Sequence, residues 1–183
     1  GRGGLGHGAC RGTARDPQQL KDVRAQHRAG IPGVTLHWAM HCYRIGNPGQ
    51  KAEAGSERSM WFDYLGLQSS GHGVQLPIAL TFTNKDHAIV QPLADWTTIK
   101  EELYNNIQIL TGKELAKGKQ SVPNKVKGPD GKDVVSGMKD VETVGVWTHE
   151  FGPKKTRVVS PTIAHHHIKG GRARHPHPAP SAV

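Results

Sequence analysis

The sequence predicts an α+β fold: an antiparallel sheet of about five strands packed on one main helix over residues 96–111, with a short helix over 17–29 and extended basic tails. Three observations carry it. Leu76, Ile78, Leu80 and Phe82 alternate with Pro77, Ala79, Thr81 and Thr83, the period of two that a half-buried strand requires. Trp96, Ile99, Leu103, Ile107 and Leu110 recur at steps of three and four, one face of a helix. Residues 143–151 and 156–163 flank Gly152-Pro153-Lys154-Lys155 and read as a hairpin.

In chain order, residues 1–15 are glycine-rich coil. Their opening Gly-Arg-Gly-Gly has the form of one RGG element of RNA-binding tails. The GxGxxG-like glycines within 3–8 lack the preceding strand that a phosphate cradle needs. Asp16 is an N-cap, Pro17 suits the first helical position, Gln19 completes a capping box and Gly30 stops the helix. Residues 34–45 read as one long strand, with Val34, Leu36, Trp38, Met40 and Cys42 on its apolar face. Residues 46–59 are a polar loop around Asn47-Pro48-Gly49, and 60–67 are a short strand or a single helical turn.

Asn84-Lys85-Asp86 turns the first strand of the central hairpin back into 87–93. Thr98 with Glu101 forms a capping box for the main helix, Gly112 stops it, and residues 113–119 extend it by a turn. Residues 120–132 read as a basic loop ending in Gly128-Pro129-Asp130-Gly131. The organisation expected is a basic N-terminal extension (1–32), one α+β domain (33–163) and a His-, Arg- and Pro-rich tail (164–183).

The formal charge of +9 is unevenly spread. Residues 1–32 carry six basic and two acidic side chains, whereas residues 33–112 carry five and seven. Residues 113–132 carry six and two, and residues 133–183 seven and four. A mildly acidic core with basic Gly/Pro-rich flanks points to a polyanion as partner. No apolar run approaches the ~18 residues of a membrane span, so no membrane partner is expected. Cys10 and Cys42 are read as reduced, which favours an intracellular setting. A chain that opens on glycine also fits prior removal of a targeting segment.

Histidines are the residues with chemical capacity. His37 and His41 share the i, i+4 spacing of zinc-binding helices, but Trp38 stands where the general-base glutamate of HExxH belongs. In a strand their rings would stand ~13 Å apart, too far to share a metal. His165, His166 and His167 alternate in direction in any extended segment and have no downstream carboxylate. His149 and Glu150 point to opposite sheet faces, and Cys42 lies on the face opposite His37 and His41. No catalytic residue, metal site or cofactor is therefore assigned. Among the aromatics, Trp38, Phe82 and Trp96 fit the apolar stripes, while Tyr43, Tyr64 and Trp147 are the candidates for stacking on bases.

The function expected is that of a non-enzymatic nucleic-acid-associated protein, an RNA-binding component of a larger particle, with RNA favoured over DNA. Arg2, Arg11, Arg15, Arg24 and Arg28 would contact phosphates at one end of the chain. Lys117, Lys119, Lys125, Lys127, Lys154, Lys155, Arg157, Lys169, Arg172 and Arg174 would do so elsewhere. Two alternatives stand beside it. One is a histidine-based hydrolase or nuclease, with or without a divalent metal. The other is a structural subunit of a capsid-like assembly whose arms reach protein neighbours.

Overall fold

A computed structural model describes residues 17–45, 52–53 and 55–164. Sheet dominates, with 49% of the described residues in strands and two short α-helices among them. The main sheet is a six-stranded mixed sheet curled into a half-barrel, in the order β1-β8-β7-β6-β3-β4. Its strands are β1 (Gly33–Val34), β3 (Gly71–Phe82), β4 (Trp96–Asn105), β6 (Lys113–Lys127), β7 (Asp133–Phe151) and β8 (Thr156–Pro161). β1 runs parallel to β8, and every other pairing is antiparallel. β2 (Leu67–Gln68) and β5 (Gln108–Ile109) form a separate two-stranded ribbon. The helices are α1 (Pro17–Arg28) and α2 (Met60–Leu65).

The main helix expected over 96–111 is not formed; most of that segment is strand β4. Its supposed buried stripe is open at the start, with Trp96 48% and Ile99 79% exposed. The buried residues are instead Thr98, Glu101, Glu102, Leu103 and Tyr104. Two-sided burial of Glu102, Leu103 and Tyr104 is possible because a strand points successive side chains to opposite faces and both faces are covered here. β3 supplies the backbone partner, from Leu80↔Trp96 to Gly71↔Asn105. That pairing outweighs the helical spacing of five apolar residues, because local propensity is a weak prior against tertiary context. Residues 113–127, expected as a last helical turn and a basic loop, are strand β6 for the same reason: they pair with β7 from Lys113↔Thr148 to Lys127↔Asp133. The turn at 128–131 forms, closed by Gly131 N–H to Gly128 O at 2.9 Å.

The long strand expected over 34–45 is also corrected. Only Gly33 and Val34 pair, and His37–His41 is a 3₁₀ turn. Val34, Leu36 and Trp38 are exposed, while Thr35 and His37 are buried. Thr35 anchors the segment by donating its N–H to Val159 O at 3.0 Å and by a side-chain hydrogen bond to Ser160. The segment lies at the sheet edge, so its buried side follows that anchor rather than its apolar alternation. Cys42 is disulfide-bonded, which overturns its reading as a reduced thiol; Cys10 lies outside the described residues.

The two faces of the sheet have separate cores. On one, α1, α2 and the 3₁₀ turn pack Leu20, Met40, Trp61, Phe62 and Leu65 against Tyr104, Trp147, Phe151 and Val158. The other is the inside of the curl, where Ile78, Leu80 and Leu103 meet Val141 and Ile163. Glycine permits that curvature. A Cβ at Gly118 of β6 would lie 2.7 Å from Leu103 Cδ1, although β3 separates the two strands. A Cβ at Gly145 would lie 2.7 Å from Leu80 Cδ2 and 3.1 Å from the Gly118 backbone nitrogen. Gly145→Ala is therefore expected to cost about 1–3 kcal/mol by overpacking, read as a lower midpoint in urea unfolding.

Candidate functional site

Of the fifteen basic residues expected to meet phosphates, Arg2, Arg11, Arg15, Lys169, Arg172 and Arg174 lie outside the described residues. The fold sorts the other nine into three groups. Lys117, Lys119 and Lys127 are held in cross-strand ion pairs along the β6–β7 hairpin, to Glu142 at 3.0 Å, Asp140 at 2.7 Å and Asp133 at 2.7 Å. Their charge is largely neutralised within the hairpin. Lys125 stands apart near the inner face of the sheet. Arg24, Arg28, Lys154, Lys155 and Arg157 are brought to one place.

That convergence has a local cause in each segment. α1 is amphipathic, and Leu20 and Val23 seat it on the core while its basic side flanks the sheet. The Gly152–Lys155 turn joins β7 to β8, closed by Lys155 N–H to Gly152 O at 3.0 Å. Gly152 gives the C-terminal turn of α1 room to approach: a Cβ there would sit 3.1 Å from Arg28 Cγ. Lys154 donates from Nζ to Ala29 O at 2.9 Å, satisfying a carbonyl just beyond the helix end across 125 positions of sequence. The Arg24 guanidinium lies 5.5 Å from the Phe151 ring centroid. Between helix and turn opens a cleft of about 590 Å³, bordered by Gly30, Pro32, Lys154, Lys155 and Arg157.

None of these five basic residues forms an ion pair among the described residues. The acidic groups nearby are Asp63, which acts on Arg24, and Glu150, which pairs in register with Arg157. Burial and the neighbouring charge of Arg28 both pull the Arg24 pKa down, against the smaller opposing effect of Asp63. Arg24 and Arg28 repel each other, and the five together place positive charge around the end of α1 and the β7–β8 turn.

A second cluster lies at the other side of the helix-covered face and was not legible in the sequence. The 3₁₀ turn brings His37 and His41 together against Tyr104, with ring centroids 5.1 and 5.4 Å from the phenol. Their separation in a strand, expected from sequence, does not apply. His72 of β3 joins them at 5.7 Å from the same ring. Glu102 is the carboxylate that His37 and His72 share as a neighbour, while the hydrogen bond of His72 Nδ1 is to Gly73 O at 3.0 Å. One carboxylate oxygen lies 3.5 Å from His37 Nε2 and 3.5 Å from His72 Nδ1, and the other accepts from Gln75 Nε2 at 3.0 Å.

The groups differ in protonation. His41 accepts from Arg44 Nη1 at Nδ1, 3.2 Å away. Burial, then the charges of Arg44, His72 and His37, lower its pKa to about 4, so it is neutral at physiological pH. The Tyr104 hydroxyl is buried and has no hydrogen-bond partner among the described residues. Burial, and then the charge of Glu102, push its pKa well above the ordinary tyrosine range. His37 holds a φ of 46°, a left-handed conformation that costs a non-glycine residue about 1–3 kcal/mol. No group of three or more His, Cys, Asp or Glu among the described residues is arranged to hold a metal ion.

His72, Glu102 and Tyr104 carried no sequence signal. His72 sits between two glycines, and Glu102 fitted the start of a helix. The expected stacking aromatics are also redistributed: Trp147 and Tyr64 are each 1% exposed and belong to the core, while Trp38 and Trp96 face solvent. His149 is a packing group beside Gly66 and Thr111, and its pKa is lowered chiefly by burial.

Fold and site together define a sheet-rich half-barrel with a basic face made by a helix and a hairpin turn. Comparison with protein-family models, curated proteins and solved structures gives no match.

Proposed function

We propose that this chain is a non-enzymatic nucleic-acid-associated protein that binds phosphates through the face formed by Arg24, Arg28, Lys154, Lys155 and Arg157, as an RNA-binding component of a larger particle. The observation that carries the reading is the meeting of five basic side chains, from segments more than a hundred residues apart, none of which forms an ion pair among the described residues. A polyanion relieves their mutual repulsion, so binding and the geometry favour each other. The distal β6–β7 hairpin, with Val126, Val134, Val135 and Met138 exposed, is a surface for neighbours in such a particle.

The test is a salt titration of RNA and DNA binding by the full chain. Lys154→Ala with Lys155→Ala is expected to lower the slope of log affinity against log salt by about 1.4 on single-stranded RNA, from two contacts at about 0.7 each. Lys117→Ala with Lys119→Ala, whose charges are already paired, is expected to leave the slope nearly unchanged. Equal effects from both pairs would count against this face.

A second reading has its own support. Glu102 lies 3.5 Å from two imidazoles, one of them on the partly exposed His72, beside a phenol with no hydrogen-bond partner among the described residues. That is the arrangement of a general acid–base hydrolase or nuclease. RNA turnover that disappears in His72→Ala and Glu102→Gln, with folding retained, would favour it; absence of turnover in the intact chain would end it.

A further inference from the structure

We infer that the open end of the half-barrel is a binding site for a small amphipathic carboxylate, with its apolar body inside the curl and its carboxylate between Lys125 and Lys139. β3 and β6 pair only over Ala79–Phe82 and Ala116–Lys119. Beyond that point β3 continues back to Gly71 and β6 on to Lys127, each paired on its other side. The two strands therefore form a fork. Gln120, 2% exposed, closes its apex by donating from Nε2 to Leu76 O at 2.8 Å and Glu101 O at 3.0 Å.

Past the apex lies a cleft of about 330 Å³ with Val74, Leu103, Val122 and Val141 in its walls. Four strands contribute to it, and the mouth of a curled sheet is a common place for a ligand. Its volume is at the small end of ligand pockets, roughly 300–1,000 Å³, which selects a medium-length chain over a long one.

Charge sets the headgroup. Lys117, Lys119, Lys127 and Lys132 of the same hairpin each have a carboxylate within 3.5 Å. Lys125 and Lys139 form no ion pair among the described residues, and both border the cleft. Four lysines of the hairpin are thus paired with carboxylates, while Lys125 and Lys139 stand as two cations at an apolar opening. An acidic head with an apolar body satisfies both features together.

Octanoate is the probe, titrated into the full chain and followed by amide chemical shifts, with octanol and hexadecanoate as comparisons. Saturable shifts confined to residues 73–74, 103–105, 120–125 and 139–141 are expected. Lys125→Gln with Lys139→Gln should weaken octanoate about tenfold. Val74→Trp should block binding by filling the cleft from a residue already 46% exposed, so the core is left intact. No saturable shift up to about 10 mM, an affinity too weak to matter, would overturn the site. So would octanol binding as tightly as octanoate, or octanoate binding that Val74→Trp leaves unchanged.

Discussion

Trp147→Ala is expected to destabilise the protein by about 3–5 kcal/mol, enough to consume much of the stability of a typical domain. The indole is 1% exposed in the core between the sheet and α2, so truncation opens a cavity that rigid strands cannot collapse. It also removes the donor to Leu65 O at 2.9 Å, which leaves that buried carbonyl unpaired. The matched control is Trp96→Ala. Trp96 begins β4 at 48% exposure, and its loss is expected to change stability by less than about 1 kcal/mol. Urea unfolding of both variants separates the sheet from the helical reading of 96–111. In a helix packed on a sheet Trp96 would be core and the order of the two effects would reverse.

Acidification is the second large effect. The pKa of His41 is lowered to about 4 in the folded chain, while the unfolded chain titrates near the ordinary histidine value of about 6.5. Between those values the unfolded state binds more protons, so stability rises with pH. The contribution is complete above about pH 6.5 and is lost as pH falls through 4, a decline of about 3 kcal/mol for the full shift. His149, lowered by burial, acts in the same direction. Urea midpoints measured at pH 7 and pH 4.5 should therefore differ markedly in the native chain. In His41→Phe the difference should shrink, because a ring that cannot charge replaces one that must. A pH dependence unchanged by this substitution would place the sensitive group elsewhere.

Some of this was readable without coordinates, and the readable parts share a property: their determinants are local. Pro17 and Gly30 bracket the helix that forms over Pro17–Arg28, while Asp16, expected as its N-cap, lies outside the described residues. Gly152 and Pro153 mark the β7–β8 turn, with Phe151 opposite Thr156 as a hairpin requires. Gly128 through Gly131 mark the β6–β7 turn. Where pairing is non-local, sequence pattern misled. Leu103 belongs equally to a helical stripe and to an alternating strand, and only β3 decides between them. His37 and His41 are close because a 3₁₀ turn follows the Thr35 anchor to β8, an interaction reached across 125 positions.

The candidate sites divide the same way. Sequence by itself determined that basic charge is segregated from the mildly acidic residues 33–112, because charge is a property of composition and position. It could not separate lysines that face Glu142, Asp140 and Asp133 from those that face none, because facing residues are set by the β6–β7 register, which is shifted by irregularities along the hairpin. The tertiary structure decided that Arg24 and Arg28 stand beside Lys154 and Lys155, that Glu102 meets His37 and His72, and that β3 and β6 diverge into a fork. Each of these rests on side chains that meet only after the sheet has curled. Local propensity forms the turns and the short helix, whereas burial and backbone pairing between distant segments choose which faces meet.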